Sequence, residues 1–269
     1  MKKGLTRIVA ALLFALLMPS MVFAGYEITQ SQTGMHGASK SKIFISKNKY
    51  MVRQPESQMS VNFATQRISI TNESQKTYWE GTIDEYIKSM QEMQDASMKR
   101  MKEALQKLPE SQRKEIMAIH GIDTAKPKID VSVKKAGKAE KIAGYRAEQY
   151  TVNNNGQPFE ELWLAPGLNI AGEISPEKLQ AFSAKLQKTT MGGSTQGEVG
   201  LSKAYMGLLK HGYPVKQVFE KNMMTVAVDS VKKANIPDKV FQAPAGYTKV
   251  PSLQEFIMSR QQNMNLKMQ

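Results

Sequence analysis

The sequence predicts an α+β fold, a single curved antiparallel sheet with helices packed on one side. Three observations carry this. Strands and helices come in runs rather than in strict βαβ alternation. Several short segments alternate apolar and polar residues with a period of two, as an antiparallel sheet with one buried face requires. One long segment, Thr82 to Leu108, carries the strongest helical signal in the chain.

That helix starts at a marked point. Thr82 with Glu85 three residues on forms a capping box, and Pro109 ends or kinks it. Ile83, Tyr86, Ile87, Met90, Met93, Met98, Met101, Ala104, Leu105 and Leu108 recur at helical spacing. At about 100° per residue they fall in one stripe roughly 140° wide. A stripe of that size must dock, and its partner is the sheet built by the strands on either side. Gln94 and Ser97 fall near its centre. Either they mark where the helix leaves the sheet and meets water or a ligand, or the helix is shallowly buried there.

The chain opens on an export signal. Lys2, Lys3 and Arg7 precede an apolar run from Ile8 to Met18, and Val22-Phe23-Ala24 is small where a signal peptidase reads. Cleavage is expected after Ala24. The apolar run is short for a transmembrane helix, and no later run approaches 18 residues, so the exported product is expected not to be an integral membrane protein. With no cysteine, the chain has no lipobox, disulfide or thiolate site. These features together predict a bacterial periplasm, in a Gram-negative envelope.

Removing 24 residues from 269 leaves about 245, enough for one large domain or two small ones. Taking the three signal-peptide cations from 37 leaves 34 Lys and Arg against 24 Asp and Glu, a net +10. Export argues against nucleic acid as the partner. Anionic headgroups, an acidic protein, or charge dispersed over solvated faces account for the excess. The expected division is a signal peptide over 1–24, one domain over 25–250 with a helical insertion at 82–120, and a C-terminal helix over 251–269.

The order of elements follows from turns and periodicity. Tyr26 to Gln32 is a first strand, and Gly34 and Gly37 turn the chain. Lys42–Ser46, Lys49–Arg53, Gln58–Phe63, Arg67–Thr71 and Lys76–Glu80 read as short strands leading into the long helix. A second helix, Glu110 to His120, stops at Gly121. Strands resume at Lys128–Lys134, Ala139–Ala143, Arg146–Val152 and Phe159–Ala165, the last two joined by a hairpin turn at Asn153–Gly156. Leu168–Gly172 reads as an edge strand, and Ser175 caps a helix running to Lys188. Met191–Gly200, with four glycines and no apolar cluster, reads as a mobile loop that could close over a site. A short helix over Leu201–His211, strands over Tyr213–Glu220 and Met223–Val231, an extended stretch over Ile236–Gly246 and a capped helix over Ser252–Lys267 complete the chain.

Enzyme signatures are missing. His36, His120 and His211 sit in unrelated contexts, and no HExxH, GxSxG or phosphate-binding glycine loop occurs. Glu160 and Glu161 are adjacent in a strand, so they point to opposite faces and cannot pair. No catalytic residue, metal site or cofactor is assigned. The 18 methionines are the unusual feature. Met90 with Met93, and Met98 with Met101, place thioethers on one helical face. That suits Cu(I) chemistry, an adaptable binding surface, or an irregular core. Trp79 and Trp163 lie in strands, as core or rim residues or as stacking platforms for a ligand.

Five stretches carry a resemblance. They are KTYWE (76–80), the Met-rich helix running into LPESQR (108–113), KIAGYRAEQYTV (141–152) with ELWLAP (161–166), GYPVK (212–216) and IPDKVFQAPAGY (236–247). In this order they resemble the LolA/LolB-like half-barrel superfamily, and within it an uncharacterised family of bacterial periplasmic proteins. The resemblance implies an open half-barrel wrapped around helices and enclosing an apolar cavity. It implies a non-enzymatic binding protein for a lipid or other hydrophobic ligand. The alternative is an envelope interaction or sensing module with a self-filled core and a protein partner; Met-mediated copper binding is a minor alternative. The candidate cavity or gate residues are Trp79, Tyr86, Met90, Met93, Gln94, Ser97, Met101 and Trp163.

Overall fold

A computed structural model describes residues 25–35, 37–113, 129–190, 195–219 and 224–267. The expected signal segment and its cleavage point, His36, residues 114–128, residues 191–194 and the turn at Lys221-Asn222 lie outside the described residues. The fold is α+β. Twelve strands form one large, curved, open sheet, antiparallel throughout except for its last, two-residue pairing.

Six strands come first: β1 (Tyr26–Gly34), β2 (Gly37–Ser46), β3 (Lys49–Gln54), β4 (Ser57–Asn62), β5 (Arg67–Asn72) and β6 (Thr77–Thr82). The long helix α1 (Ile83–Gln106) follows, and then β7 (Val131–Ile142), β8 (Tyr145–Asn154) and β9 (Gln157–Ala165). Three helices, α2 (Pro176–Thr190), α3 (Thr195–Leu201) and α4 (Lys203–Leu208), lead into β10 (Tyr213–Phe219) and β11 (Met224–Lys233). The chain closes with β12 (Thr248–Lys249) and α5 (Leu253–Lys267).

The strand order is β12-β6-β5-β4-β3-β2-β1-β11-β10-β9-β8-β7. Two meanders are therefore fused where β1 pairs with β11, Ile28 opposite Val231. Local chemistry sets the hairpins. Lys47-Asn48, Ala143-Gly144 and Asn155-Gly156 each hold two successive positive φ angles, the conformation of a two-residue loop that matches strand twist.

The start of α1 is built as the sequence predicts. The Glu85 amide donates to Thr82 Oγ1 at 3.1 Å, and the Thr82 amide donates to Glu85 Oε2 at 2.7 Å. The helix stops two residues short of the expected end, because Pro109 disfavours a helical backbone at Leu108.

The main core lies between the sheet and three helices. Ile43, Ile45, Val61, Ile68, Trp79 and Trp163 from the strands meet Ile83 and Tyr86 of α1, Phe182 of α2, and Leu253 and Phe256 of α5. Phe63 and Phe182 meet edge to face with centroids 5.6 Å apart. The loop after β9 seals one end of this space. Leu168 and Ile174 are buried in it, the Asn48 amide donates to the Glu173 carbonyl at 2.7 Å, and the Tyr26 hydroxyl donates to the Asn169 carbonyl at 2.8 Å.

Several expectations are corrected. Helices cover both faces of the sheet, not one. Trp163 and Ala165 face the main core, whereas Leu162 and Leu164 pack with Val199, Tyr205 and Leu208 of α3 and α4. Successive strand residues point to opposite faces, and β9 is apolar on both, so each face needs cover. A second cover on that outer side comes from the strap after β11. Its 3₁₀ turn Asp238–Phe241 sets Phe241 on Phe44 and Met51, where an extended stretch was expected. Residues Thr195–Gly200, expected in a mobile loop, are helical, with Gly197, Val199 and Gly200 buried. Leu201–His211 is not one helix. It breaks at Ser202, whose hydroxyl caps α4 by accepting from the Tyr205 amide at 3.2 Å. Leu168–Gly172 is irregular backbone ending in a turn rather than an edge strand, and its Leu168 is buried in the main core. The two strands expected over Lys128–Lys134 and Ala139–Ala143 are one strand from Val131, with a register shift between Lys135 and Ala139.

Candidate functional site

The inner face of the sheet is of mixed character. Around Trp79 the side chains fill the space themselves. Trp79, Trp163 and Tyr86 retain only 5%, 7% and 6% of their surface, and the Trp79 and Tyr86 rings lie 6.2 Å apart. Lys216 sits with its ammonium 4.3 Å from the Trp163 ring centroid and 3.0 Å from Glu140, so this cation is already engaged.

Further along the same face the packing loosens. Tyr50 and Val52 on β3, Met59 on β4, Met90 and Met93 on α1 and Tyr213 on β10 all pack on the main core while keeping part of their surface open. The register makes the β3–β4 part of this lining contiguous. Val52 lies opposite Met59, and Tyr50 lies opposite Val61. Half-open apolar side chains on a concave face are the usual lining of a ligand site, and thioethers adapt to an irregular occupant.

Of the eight residues singled out in the sequence, the fold gathers Trp79, Tyr86, Met90, Met93 and Trp163 on one core. It does not bring Gln94 and Ser97 there. Both are exposed, and no α1 residue beyond Met93 packs on that core. Met101 is half-buried further along the helix, outside that core. Tyr50, Val52, Met59 and Tyr213 were missed. Alternation around Met51 marks Tyr50 and Val52 as sharing a face, but nothing local says which face is inner.

Two other features lie away from these residues. On the outer face, the Glu160 carboxylate accepts from the Tyr205 hydroxyl at 3.2 Å and from Gln217 Nε2 at 3.1 Å, and burial raises its pKa to about 7. On α5, Ser252, Gln254, Glu255, Met258 and Ser259 line an open depression of about 340 Å³. Among the described residues, no helix is long and apolar enough to cross a membrane.

Comparison with known proteins adds a family match and distant structural likenesses. Residues 115–247, just under half of the chain, match the family described as "Domain of unknown function (DUF4412)". No curated protein matches. Among solved structures, PNGF-II in a C2 crystal form is 13% identical with a TM-score of 0.38, over 87% of this chain and 32% of that one. MucB in complex with MucA(peri) is 11% identical with a TM-score of 0.36, over 84% of this chain and 57% of that one. The Pseudomonas aeruginosa MucA/MucB complex gives 12% and 0.36, over 84% and 58%. The chain thus spans about a third of the first structure and under two-thirds of the other two. At these TM-scores the likenesses carry no functional argument.

Proposed function

We propose that this chain is an exported, periplasmic, non-enzymatic binding protein of LolA/LolB-like type that holds a hydrophobic ligand against the inner face of its sheet. The single observation that carries this reading is that Tyr50, Val52, Met59, Met90, Met93 and Tyr213 all pack on the main core while staying half-open, with Val52 and Met59 side by side. A sheet that only served as scaffold would be expected to fill that space from its own helices, as it does around Trp79 and Tyr86.

The test is native mass spectrometry of the protein purified without detergent, followed by solvent extraction. An added mass of several hundred daltons that extracts as a lipid supports the reading. A bare polypeptide that also takes up no fluorescent fatty acid overturns it.

A second reading, an envelope interaction module, is favoured by one observation. β7 ends the sheet and is exposed from Lys134 to Lys141, with Lys134, Lys135, Lys138 and Lys141 along it. Lysines on a sheet edge also guard against edge-to-edge association, so this reading stands second. A bare mass together with a specific captured envelope protein would move it to first place.

A further inference from the structure

The two ends of the sheet are finished differently. At one end β12 lies on β6, with the Thr248 amide donating to the Lys76 carbonyl at 2.9 Å and the Val250 amide to the Tyr78 carbonyl at 2.8 Å. At the other end β7 has β8 on one side and, among the described residues, no strand on the other. It is 12 residues long, about twice the usual strand. Val131 and Val133 anchor its first part on the core that holds Tyr205 and Leu208 of α4. From Lys134 to Lys141 every residue is exposed, so this stretch offers a row of unpaired N–H and C=O groups along its free edge.

The charge at this end is one-sided. β7 and β8 together carry five cations, Lys134, Lys135, Lys138, Lys141 and Arg146, against two carboxylates, Glu140 and Glu148. Both carboxylates are engaged. Glu148 binds Lys135 at 2.7 Å, and Glu140 binds Lys216 of β10 at 3.0 Å. Among the described residues, no ion pair holds Lys134, Lys138, Lys141 or Arg146. Lys141 and Arg146 are registered directly opposite one another and both are exposed, a placement of like charges that costs stability. Solubility alone does not call for that pairing, and an anionic partner relieves it.

A second copy of this chain is a poor occupant, since β7 against β7 sets lysines against lysines. An anionic lipid surface matches the charge but has no amides to meet the open backbone row. We infer that the exposed edge of β7 binds an extended acidic segment of a partner protein. That segment adds to the sheet as a further strand and sets its carboxylates against Lys134, Lys138, Lys141 and Arg146. Main-chain hydrogen bonds hold it, and the cations select for acidic sequence. This assignment rests on the interaction reading above and adds the chemistry of the partner; the hydrophobic-ligand reading does not depend on it.

The test is fluorescence anisotropy with a labelled peptide, about twelve residues long, that alternates Glu with Val. Wild type is expected to bind it, and to bind a version with Lys in place of Glu at least roughly tenfold more weakly. Lys134→Glu/Lys138→Glu/Lys141→Glu is expected to lose at least roughly tenfold, and the same three changes to Gln to lose part of that. Lys99→Glu/Arg100→Glu/Lys102→Glu, an equal change of charge on exposed residues of α1, is expected to stay within about threefold of wild type. Two further peptides are N-methylated at alternate residues, one along each edge, and keep their charge. One of them is expected to lose at least roughly tenfold, because it has no donors to offer β7. Equal binding of both methylated peptides, equal losses in the two Glu variants, or binding to phosphatidylglycerol vesicles with none to the peptide overturns the assignment. An envelope protein captured equally by wild type and by the β7 Glu variant also overturns it, but leaves the interaction reading standing. No bound peptide and no captured protein overturns both.

Discussion

The Tyr205 hydroxyl of α4 lies 3.2 Å from Oε1 of Glu160 on β9, and Gln217 Nε2 donates to both, at 3.1 Å to the carboxylate and 3.3 Å to the phenol oxygen. Glu160 keeps 2% of its surface, and no cation is among the causes that set its pKa. The site holds a carboxyl between neutral partners and joins α4 to β9 and β10. Burial raises the Glu160 pKa from its ordinary 4.5 to about 7, and the two hydrogen bonds only partly oppose that.

Below pH 4.5 folded and unfolded chains both hold the proton, so this group costs nothing. Between 4.5 and about 7 the unfolded chain releases it first, so stability falls as pH rises through that window and is level above it. The loss is on the order of 3 kcal/mol. Glu160→Gln keeps a partner for Tyr205 and removes the titration. Urea denaturation from pH 4 to 8 is expected to show wild type losing stability relative to that variant as pH rises. Parallel profiles would show that Glu160 ionises in the folded protein at an ordinary pH.

Thr82→Ala removes the hydroxyl that receives the Glu85 amide and half of the box that starts α1. A loss of about 1 kcal/mol is expected, read as a shift in urea midpoint with unchanged slope.

Gly212 and Gly207 differ in what a methyl group would meet. At Gly212 φ is 152°, and a Cβ would fall 2.6 Å from the Ala165 carbonyl carbon, backbone that cannot step aside. Gly212→Ala is expected to destabilise by at least roughly 1–3 kcal/mol. At Gly207, inside α4, a Cβ meets nothing within 4 Å. Gly207→Ala is expected to be neutral or to stabilise by up to about 1 kcal/mol. Thermal melts of the two variants are expected to move in opposite directions, or at least to rank in this order.

Phe182, 6% exposed, is the most buried of the α2 residues in the main core and lies edge-on to Phe63, with Leu179 and Leu186 packed beside it. Phe182→Ala is expected to cost about 3–5 kcal/mol by denaturant titration, and Phe182→Leu clearly less.

Met90→Leu/Met93→Leu conserves volume at two half-buried positions. The melting temperature is expected to move little, at below about 1.5 kcal/mol per site, with fluorophore uptake retained. If uptake collapses while the melt is unchanged, the thioethers themselves contact the ligand.

How far the fold was legible depended on how local each signal was. The capping box at Thr82 was readable because donor and acceptor lie three residues apart. Asn155-Gly156 was readable because two positive φ angles favour those residues. The inner-face pattern of β4 and β5 was readable from alternation at Met59, Val61, Ile68 and Ile70. Leu168–Gly172 was misread because its apolar residues serve a seal made with the distant Lys47-Asn48 turn. Thr195–Gly200 was misread because Val199 shares a core with Leu162 and Leu164 of β9, which no neighbour in sequence announces. Within the candidate site, Trp79, Tyr86, Met90, Met93 and Trp163 were found through composition and helical spacing. Gln94 and Ser97 share the helical stripe, but the core that α1 reaches ends at Met93 and leaves them exposed.

The sequence by itself determined the class of fold, the existence of nearly all the strands, the start of α1 and the stripe it buries. Hydrogen-bond caps, turn dihedrals and the periods of 2 and 3.6 act over a few residues. The tertiary structure alone decided that β1 joins β11 and that helices cover both faces of the sheet. It also decided that Glu160 is the buried carboxyl of its adjacent pair. Those outcomes depend on how much twist twelve strands accumulate and on which face each neighbour covers, and both are set by contacts between residues far apart in the chain.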